Sequence, residues 1–149
     1  MATEGFRPAF NLPSVPVLEY AEHATAGSFK KYDLIELNGG KVRLNSDDQA
    51  IFGVALKDAS GTADTAIPCY VLSSDQIWVA EVDATVAVTN VGVQYGLNIG
   101  TAGSMSVDLG DTTTESVTII GLDGTNAYGA SGTKVLVKFL NVVIVSEQD

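Results

Sequence analysis

The segment AIPCYVLSSDQIWVAEVD, residues 66 to 83, contains the only tryptophan and the only cysteine of the chain. Two runs rich in β-branched and aromatic residues flank Ser73-Ser74-Asp75, three small polar residues that favour turns. The segment therefore predicts a β-hairpin. Both faces of both runs are largely apolar, so we expect one face to be covered by the domain itself and the other to be available to a partner. Pro68 cannot donate a backbone hydrogen bond, which predicts that its strand lies at a sheet edge or contains a bulge.

The preceding segment, YDLIELNGGKVRLN at residues 32 to 45, predicts a second hairpin. Asn38-Gly39 or Gly39-Gly40 supplies the positive φ angles that a tight turn requires. The alternation of apolar and charged residues predicts one buried face and one solvent-exposed face. Glu36 lies opposite Lys41 or Arg43 in this arrangement, so we expect a cross-strand ion pair there rather than a catalytic pair.

The rest of the chain is also rich in short runs of β-type residues. Gly53, within the run 51 to 58, indicates a bulge or the close approach of another backbone. Valine and threonine favour β structure over a helical turn at 84 to 90. The remaining predicted strands are residues 93 to 99, 105 to 109, 117 to 122 and 134 to 145. About nine short strands without a long helix predict an all-β domain, either a compact barrel or a sandwich.

Length and composition narrow the class of protein. A chain of 149 residues fits one domain. The single Cys69 excludes an internal disulfide, and its apolar strand predicts a buried thiol rather than a reactive nucleophile. The opening residues lack an apolar signal region and no run approaches the roughly 18 apolar residues of a membrane span, so we expect a soluble protein made in a cytosol. A formal charge of −10, with no lysine or arginine from 58 to 133, argues against nucleic-acid binding.

The first 18 residues differ in composition from the rest of the chain. Prolines at positions 8, 13 and 16 prevent a helix and favour an extended conformation. Two interpretations remain open: a disordered terminus, or an arm that becomes ordered when Phe6 and Phe10 dock on another subunit. We divide the chain accordingly into an extended, proline-rich N-terminal arm, residues 1 to 18, and a single β-barrel or sandwich domain, residues 19 to 149.

Residues with catalytic or metal-binding chemistry are sparse in this sequence. The only histidine, His23, has no second histidine or cysteine at metal-ligand spacing and is expected at the surface. Asp108, Asp111 and Glu115 cluster with threonines but lack the EF-hand spacing. We interpret them as a solvated loop whose side chains cap turns, with a weak surface calcium site as the alternative. No catalytic site, metal site or cofactor is predicted.

Four runs of residues resemble the head decoration, or cement, proteins of tailed bacteriophages. They are FGVALKDASGTADTAIPCYVLSSDQIWVAEV at 52 to 82, YGL at 95 to 97, VDLGDTTTESVTIIGLD at 107 to 123 and KVLVKFL at 134 to 140. The resemblance spans residues 25 to 145. It consists of a similar succession of strand-like sequence patterns and not of an invariant motif. It implies a compact β-tulip-like domain that binds the outside of the expanded capsid as a homotrimer, at three-fold and quasi-three-fold positions. An extended N-terminal arm would lie across the major capsid protein and join neighbouring capsomers.

The resemblance also implies roles for particular residues. The strands around Tyr70 and Trp78 would bury either the core or a trimer seam, and neither a catalytic residue nor a cofactor is implied. The arm residues that would contact the shell are Phe6, Arg7, Pro8, Phe10, Leu12 and Pro13. Removal of residues 1 to 16 is then expected to leave a folded domain that binds the shell weakly.

Two other classes of protein remain as alternatives. A phage fibre, baseplate or carbohydrate-binding adhesion module would be indicated by a groove of aligned, exposed aromatic side chains. An enzyme would require a cleft that gathers Asp108, Asp111 or Glu115 with a second carboxylate.

Overall fold

The computed structural model describes residues 5–9, 15–46, 51–123, 134–140 and residue 142. These ranges contain eleven short strands and one 3-10 turn at Val88–Asn90, so the all-β prediction is confirmed. The strands are β1 Arg7–Pro8, β2 Val17–Ala21, β3 Leu34–Asn38, β4 Lys41–Leu44, β5 Gly53–Ala55, β6 Ala66–Val71, β7 Trp78–Glu81, β8 Gln94–Asn98, β9 Ser106–Asp108, β10 Val117–Leu122 and β11 Lys134–Phe139.

The strands form two antiparallel sheets. One sheet has six strands in the order β1-β7-β11-β10-β8-β9, and the other has five in the order β2-β6-β5-β3-β4. Single bridges join Glu22, after β2, to Val42 in β4, and Val82, after β7, to Val107 in β9. Neither bridge continues as a ladder, so the described part of the chain is sandwich-like rather than a closed barrel.

In the five-stranded sheet, β3 and β5 are buried on both faces by the same chain. Leu34 and Val54 point into a large core shared with the six-stranded sheet. The neighbouring residues Ile35 and Ala55 point the other way, into a second core that also contains Phe29. The segment between β2 and β3 therefore covers the second face of β6. The expectation that this face is available to a partner is wrong.

The predicted hairpin at 66 to 83 is also wrong, although both of its strands exist. β6 pairs with β2 and β5, whereas β7 pairs with β1 and β11 in the other sheet. The connection between them crosses the sandwich instead of folding back. The Gln76 side chain holds this crossing, because its Oε1 accepts from Ser73 N at 3.0 Å and from Trp78 Nε1 at 3.3 Å.

Pro68 lies in an interior strand and not at a sheet edge, because β6 is between β2 and β5. Its carbonyl accepts from Leu56 N at 2.9 Å, one residue beyond the end of β5. In an antiparallel strand the N–H and C=O of one residue point to the same side. The missing N–H of Pro68 would thus point past the last residue of β5, and no bond of the regular ladder is lost.

The second predicted hairpin is confirmed. β3 and β4 pair from Ile35 to Leu44, and Gly39 and Gly40 have φ of 59° and 79° at the turn. The expected solvent-exposed face is absent from β3, whose five residues are all buried. Glu36 pairs with Arg43 rather than with Lys41.

Two further local predictions have different outcomes. Gly53 is in close contact with another backbone, because a Cβ atom at this position would collide with the carbonyl oxygen of Tyr70. The predicted close approach is confirmed. The preference for β structure at 84 to 90 is wrong, since Val88–Asn90 form a helical turn whose start is held by Ala87 N donating to Asn90 Oδ1 at 2.6 Å.

Candidate interaction surface

The described part of the predicted arm belongs to the folded domain. Phe6 has no exposed surface and packs against Phe139, with ring centroids 5.5 Å apart. Arg7 and Pro8 form β1, which is paired with Val79 and Trp78. A Phe6 side chain held in this core is not presented to a second protein, so the predicted contact of Phe6 with the capsid is wrong. Phe10, Leu12 and Pro13 lie outside the described residues.

The expectation that residues 1 to 16 can be deleted without unfolding the domain is therefore not supported. Such a truncation removes a whole strand, together with an aromatic ring that fills the large core. The sequence signal that could have indicated this was the presence of apolar residues between the prolines, which is uncommon in a solvated tail.

Tyr70 and Trp78 meet inside the domain. Their ring centroids are 5.6 Å apart at an interplanar angle of 70°, and Trp78 is fully buried. Phe139 lies on the other side of the tryptophan, 6.2 Å away. Of the two roles left open for this pair, the core is the one in which the structure places them.

Glu22 is a buried carboxylate that organises a loop. Its oxygens accept from Ser60 N, Ser60 Oγ and Gly61 N, each at 2.8 Å, and the residue is 1% exposed. Burial acts to raise the pKa of Glu22, but these hydrogen bonds outweigh it and the pKa is held below its ordinary value. The carboxylate thereby fixes the loop after β5 against the end of β2.

Glu36 plays a comparable part at the β3–β4 hairpin. Its Oε2 accepts from Arg43 Nε at 2.9 Å and its Oε1 from Ser46 N at 2.8 Å. The Glu36 side chain is only 2% exposed, so this pair is less screened by water than the surface pair that the sequence predicts. Lys41 pairs instead with Asp64 at 2.6 Å.

Asp33 links two loops that come from different sheets. Its carboxylate accepts from Lys30 N at 2.8 Å and from Gly103 N at 2.9 Å. Burial raises the pKa of Asp33, and the nearby Asp58 carboxylate adds to this effect, against the hydrogen bonds. The contact joins the turn before β3 to the loop between β8 and β9.

Asp108 and Asp111 act as turn caps. Asp108 Oδ1 accepts from Gly110 N at 2.9 Å, and Asp111 Oδ1 accepts from Thr114 N at 2.9 Å and Thr113 N at 3.0 Å. These bonds from Thr114 and Thr113 hold the pKa of Asp111 below its ordinary value. The capping interpretation is confirmed for both aspartates. Within the ranges that the structure describes, no group of three histidine, cysteine or acidic residues is positioned to hold a metal ion.

His23 and Cys69 both have structural surroundings. His23 Nδ1 accepts from Thr25 N at 3.0 Å, and its Nε2 lies 3.2 Å from Asn38 Oδ1. The ring is only half-exposed, because the hairpin turn at Asn38 packs beside it. Cys69 is fully buried in the second core, where burial raises the pKa of its thiol to about 12. The predicted buried thiol is confirmed.

The most exposed apolar side chains of any described strand lie on β2. Val17 is 48% exposed and Leu18 is 53% exposed, and the strand is the last one of its sheet. The predicted boundary between arm and domain at residue 18 cuts through this strand. The apolar β-type residues Val17, Leu18 and Tyr20 were the signal that could have indicated it.

One edge strand of each sheet comes from the first 21 residues. β1 ends the six-stranded sheet and β2 ends the five-stranded sheet. The described residues contain no helix long and apolar enough to cross a membrane. No family model, no curated protein and no solved structure matches the chain.

Proposed function

We propose that this protein is a capsid decoration protein of a tailed bacteriophage. It binds the outer surface of the expanded head as a homotrimer at three-fold and quasi-three-fold sites, and it stabilises contacts between capsomers of the major capsid protein. The proposed role is structural and not enzymatic, and it places the protein in the virion after synthesis in the host cytoplasm.

The observation that carries the proposal is the position of the N-terminal segment. β1 and β2 are outer strands of the two sheets, so the described N-terminal residues supply one edge strand to each sheet. A sheet edge is a site at which a second chain can add by backbone hydrogen bonding. The resemblance assigns the capsid-binding arm to the same N-terminal part of the chain, although Phe6 belongs to the core.

The surface chemistry supports the same assignment. The aspartates of the loop 108 to 115 are used in turn caps, and Cys69 is buried with a raised pKa. The exposed large hydrophobic residues in the described ranges are the aliphatic Val17, Leu18, Val88, Val93 and Leu140. Because this set contains no aromatic residue, we do not propose a carbohydrate-binding adhesion role.

The physical mechanism of cementing is thermodynamic linkage. A protein that binds the expanded lattice and not the unexpanded one stabilises the expanded form by its binding free energy. Three linked copies raise the effective concentration for each further contact after the first has formed. The acidic body, with a formal charge of −10, keeps the decorated surface solvated.

The test is co-sedimentation of the purified protein with phage heads assembled without it. We expect saturable binding to expanded heads at three copies per three-fold site, and no binding to unexpanded heads. Equal binding to both forms, or binding to neither, would contradict the proposal. Deletion of residues 1 to 16 is unsuitable as a control, because it removes β1 and Phe6 from the core and would destabilise the domain as well as remove the arm.

A further inference from the structure

The direction of the backbone groups on β2 follows from the hydrogen bonds of its neighbour β6. Pro68 directs its carbonyl toward the β5 side, where it accepts from Leu56 N. Glu19 is the residue of β2 opposite Pro68. Since N–H and C=O groups alternate in direction along an antiparallel strand, the Glu19 groups point away from β6.

Two more bonds agree with this alternation. Val71 N donates to Pro16 O at 3.0 Å, and Glu22 N donates to Thr65 O at 2.8 Å. Even-numbered residues of this segment therefore face β6. Val17 and Glu19 direct two N–H donors and two C=O acceptors toward the open edge of the sheet.

The open edge is short and is closed at its end. His23 N donates to Val42 O at 2.9 Å, so the chain after β2 is joined to β4. Among the described residues, no strand pairs with the outer side of residues 17 to 20, which is long enough for a strand of three or four residues. Native edge strands are commonly protected from pairing by lysine, proline or a bulge. β2 has none of these within VLEYA, and its only charge is Glu19.

Two kinds of strand could pair with β2, one from a second copy of this chain and one from a different protein, and charge distinguishes between them. A second copy of this chain also carries a formal charge of −10, and self-pairing about Leu18 would bring both Glu19 side chains into the same short ladder. A strand that places a lysine or arginine beside Glu19 would bring opposite charges together and so favour pairing. Apolar residues on that strand would cover Val17 on one face and Leu18 on the other.

We propose that the edge of β2 accepts an extended basic strand from the protein to which this domain binds. The incoming strand adds a sixth strand to the five-stranded sheet through the backbone groups of Val17 and Glu19. The identity of that partner as the major capsid protein rests on the function proposed above, whereas the edge and its chemistry rest on the contacts of β2.

Glu19→Pro is the variant that tests the edge. It removes an N–H that points away from β6 and places a ring on the open side, so the bonds between β2 and β6 remain. Glu19→Ala is the matched control, because it removes the charge but keeps the N–H. Circular dichroism and thermal melting of both variants establish that each has the wild-type fold.

Binding to expanded heads gives the first readout. We expect Glu19→Pro to weaken binding by about tenfold or more, the loss associated with one or more backbone hydrogen bonds, and Glu19→Ala to have a smaller effect. If wild-type protein binds the heads and Glu19→Pro binds equally well, the edge proposal is overturned while the decoration function stands.

Amide hydrogen exchange gives a readout that a change of stability alone would not produce. On binding, exchange should slow at Val17 and Glu19, whose N–H groups are on the open side, and change little at Leu18 and Tyr20, which already face β6. Uniform slowing along β2, or no slowing, would contradict strand addition.

A synthetic peptide of alternating valine and lysine tests the edge without the heads. We expect its NMR shift changes to be confined to β2 and to be lost in Glu19→Pro. If the wild type does not bind heads but does bind this peptide, the decoration function fails and the edge survives. Sedimentation velocity completes the test, since a dimer that Glu19→Pro abolishes would identify a second copy as the occupant and overturn the proposal.

Discussion

Glu22 shows how one buried carboxylate can hold a loop that has little core of its own. Residues 60 to 64 are exposed, and the loop is tied to the domain through Ser60 and Gly61 on the Glu22 oxygens. A buried acceptor that loses its charge leaves these donors poorly satisfied. The stability of this region therefore depends on the ionisation of a single side chain.

We expect Glu22→Gln to destabilise the protein by about 1 to 3 kcal/mol at pH 7, because the amide cannot accept hydrogen bonds on both of its terminal atoms. The folded-state pKa of Glu22 lies below its ordinary value of 4.5, so its contribution is present above that value and is lost as the pH falls through the lowered pKa. Urea unfolding of wild type and variant should therefore differ at pH 7, and the difference should shrink as the pH is lowered through the folded-state pKa.

The control for this prediction is Glu19→Gln on the same segment of chain. Glu19 is exposed, and its change should alter the free energy of unfolding by less than about 0.5 kcal/mol at neutral and at acidic pH. A difference between wild type and Glu22→Gln that persists unchanged throughout the acidic range would show that the carboxylate charge is not the cause.

At the scale of the strand, two glycines differ in whether a side chain could be accommodated at their positions. A Cβ atom at Gly53 in β5 would meet the carbonyl oxygen of Tyr70 in β6, a backbone atom that cannot move without breaking the ladder. A Cβ atom at Gly121 in β10 would have no atom within 4 Å. The two positions are therefore a matched pair.

We expect Gly53→Ala to destabilise the domain by about 1 to 3 kcal/mol or more, as overpacking of a rigid site does. Gly121→Ala should be neutral, because its side chain enters open space. Thermal melting of both variants is the measurement. Equal melting temperatures for the two would show that β5 and β6 can separate more easily than their contact indicates.

β1 is only two residues long, but it is held by the aromatic ring that precedes it. Phe6 occupies the large core beside Phe139 and is fully buried. We expect Phe6→Ala to cost about 3 to 5 kcal/mol, the usual range for a buried phenylalanine. Leu18→Ala, at a residue that is 53% exposed, is the control and should cost far less. Chemical denaturation measures both, and a small effect of Phe6→Ala would restore the prediction of a detachable arm.

At the scale of the whole molecule, two hydrophobic cores share one sheet. Trp78 lies in the large core between the sheets, and Cys69 lies in the second core, beneath the segment that contains Phe29. Adjacent residues of the same strands point into the two cores, as Leu34 and Ile35 do. One core therefore cannot lose its packing without exposing the strands that build the other.

We expect the two cores to unfold together. Trp78 fluorescence and the reaction of Cys69 with a thiol reagent should give the same urea midpoint, with no labelling of the native protein, because the thiol is buried and its pKa is raised to about 12. Labelling that precedes the fluorescence change would show that the segment over the second core opens separately.

The sequence by itself determined the features that depend only on residues near one another in the chain. Alternating β-branched residues predicted the all-β class, Gly39-Gly40 predicted the β3–β4 turn, and Gly53 predicted a close backbone contact. Cys69 was predicted to be buried from its apolar neighbours alone. Each of these inferences depends on residues near one another in the chain, for which side-chain period and backbone preference are sufficient.

The tertiary structure alone decided which strand joins which sheet. β6 and β7 are separated by a turn-like sequence, yet they enter different sheets because β2, β5, β1 and β11 are their partners. The same long-range pairing places Pro68 in an interior strand, brings Phe6 into the core and leaves β2 as an open edge. Segments that are distant in sequence compete to pair with one another. The pairing that forms depends on the free energy of burial of the whole domain, which no single segment encodes.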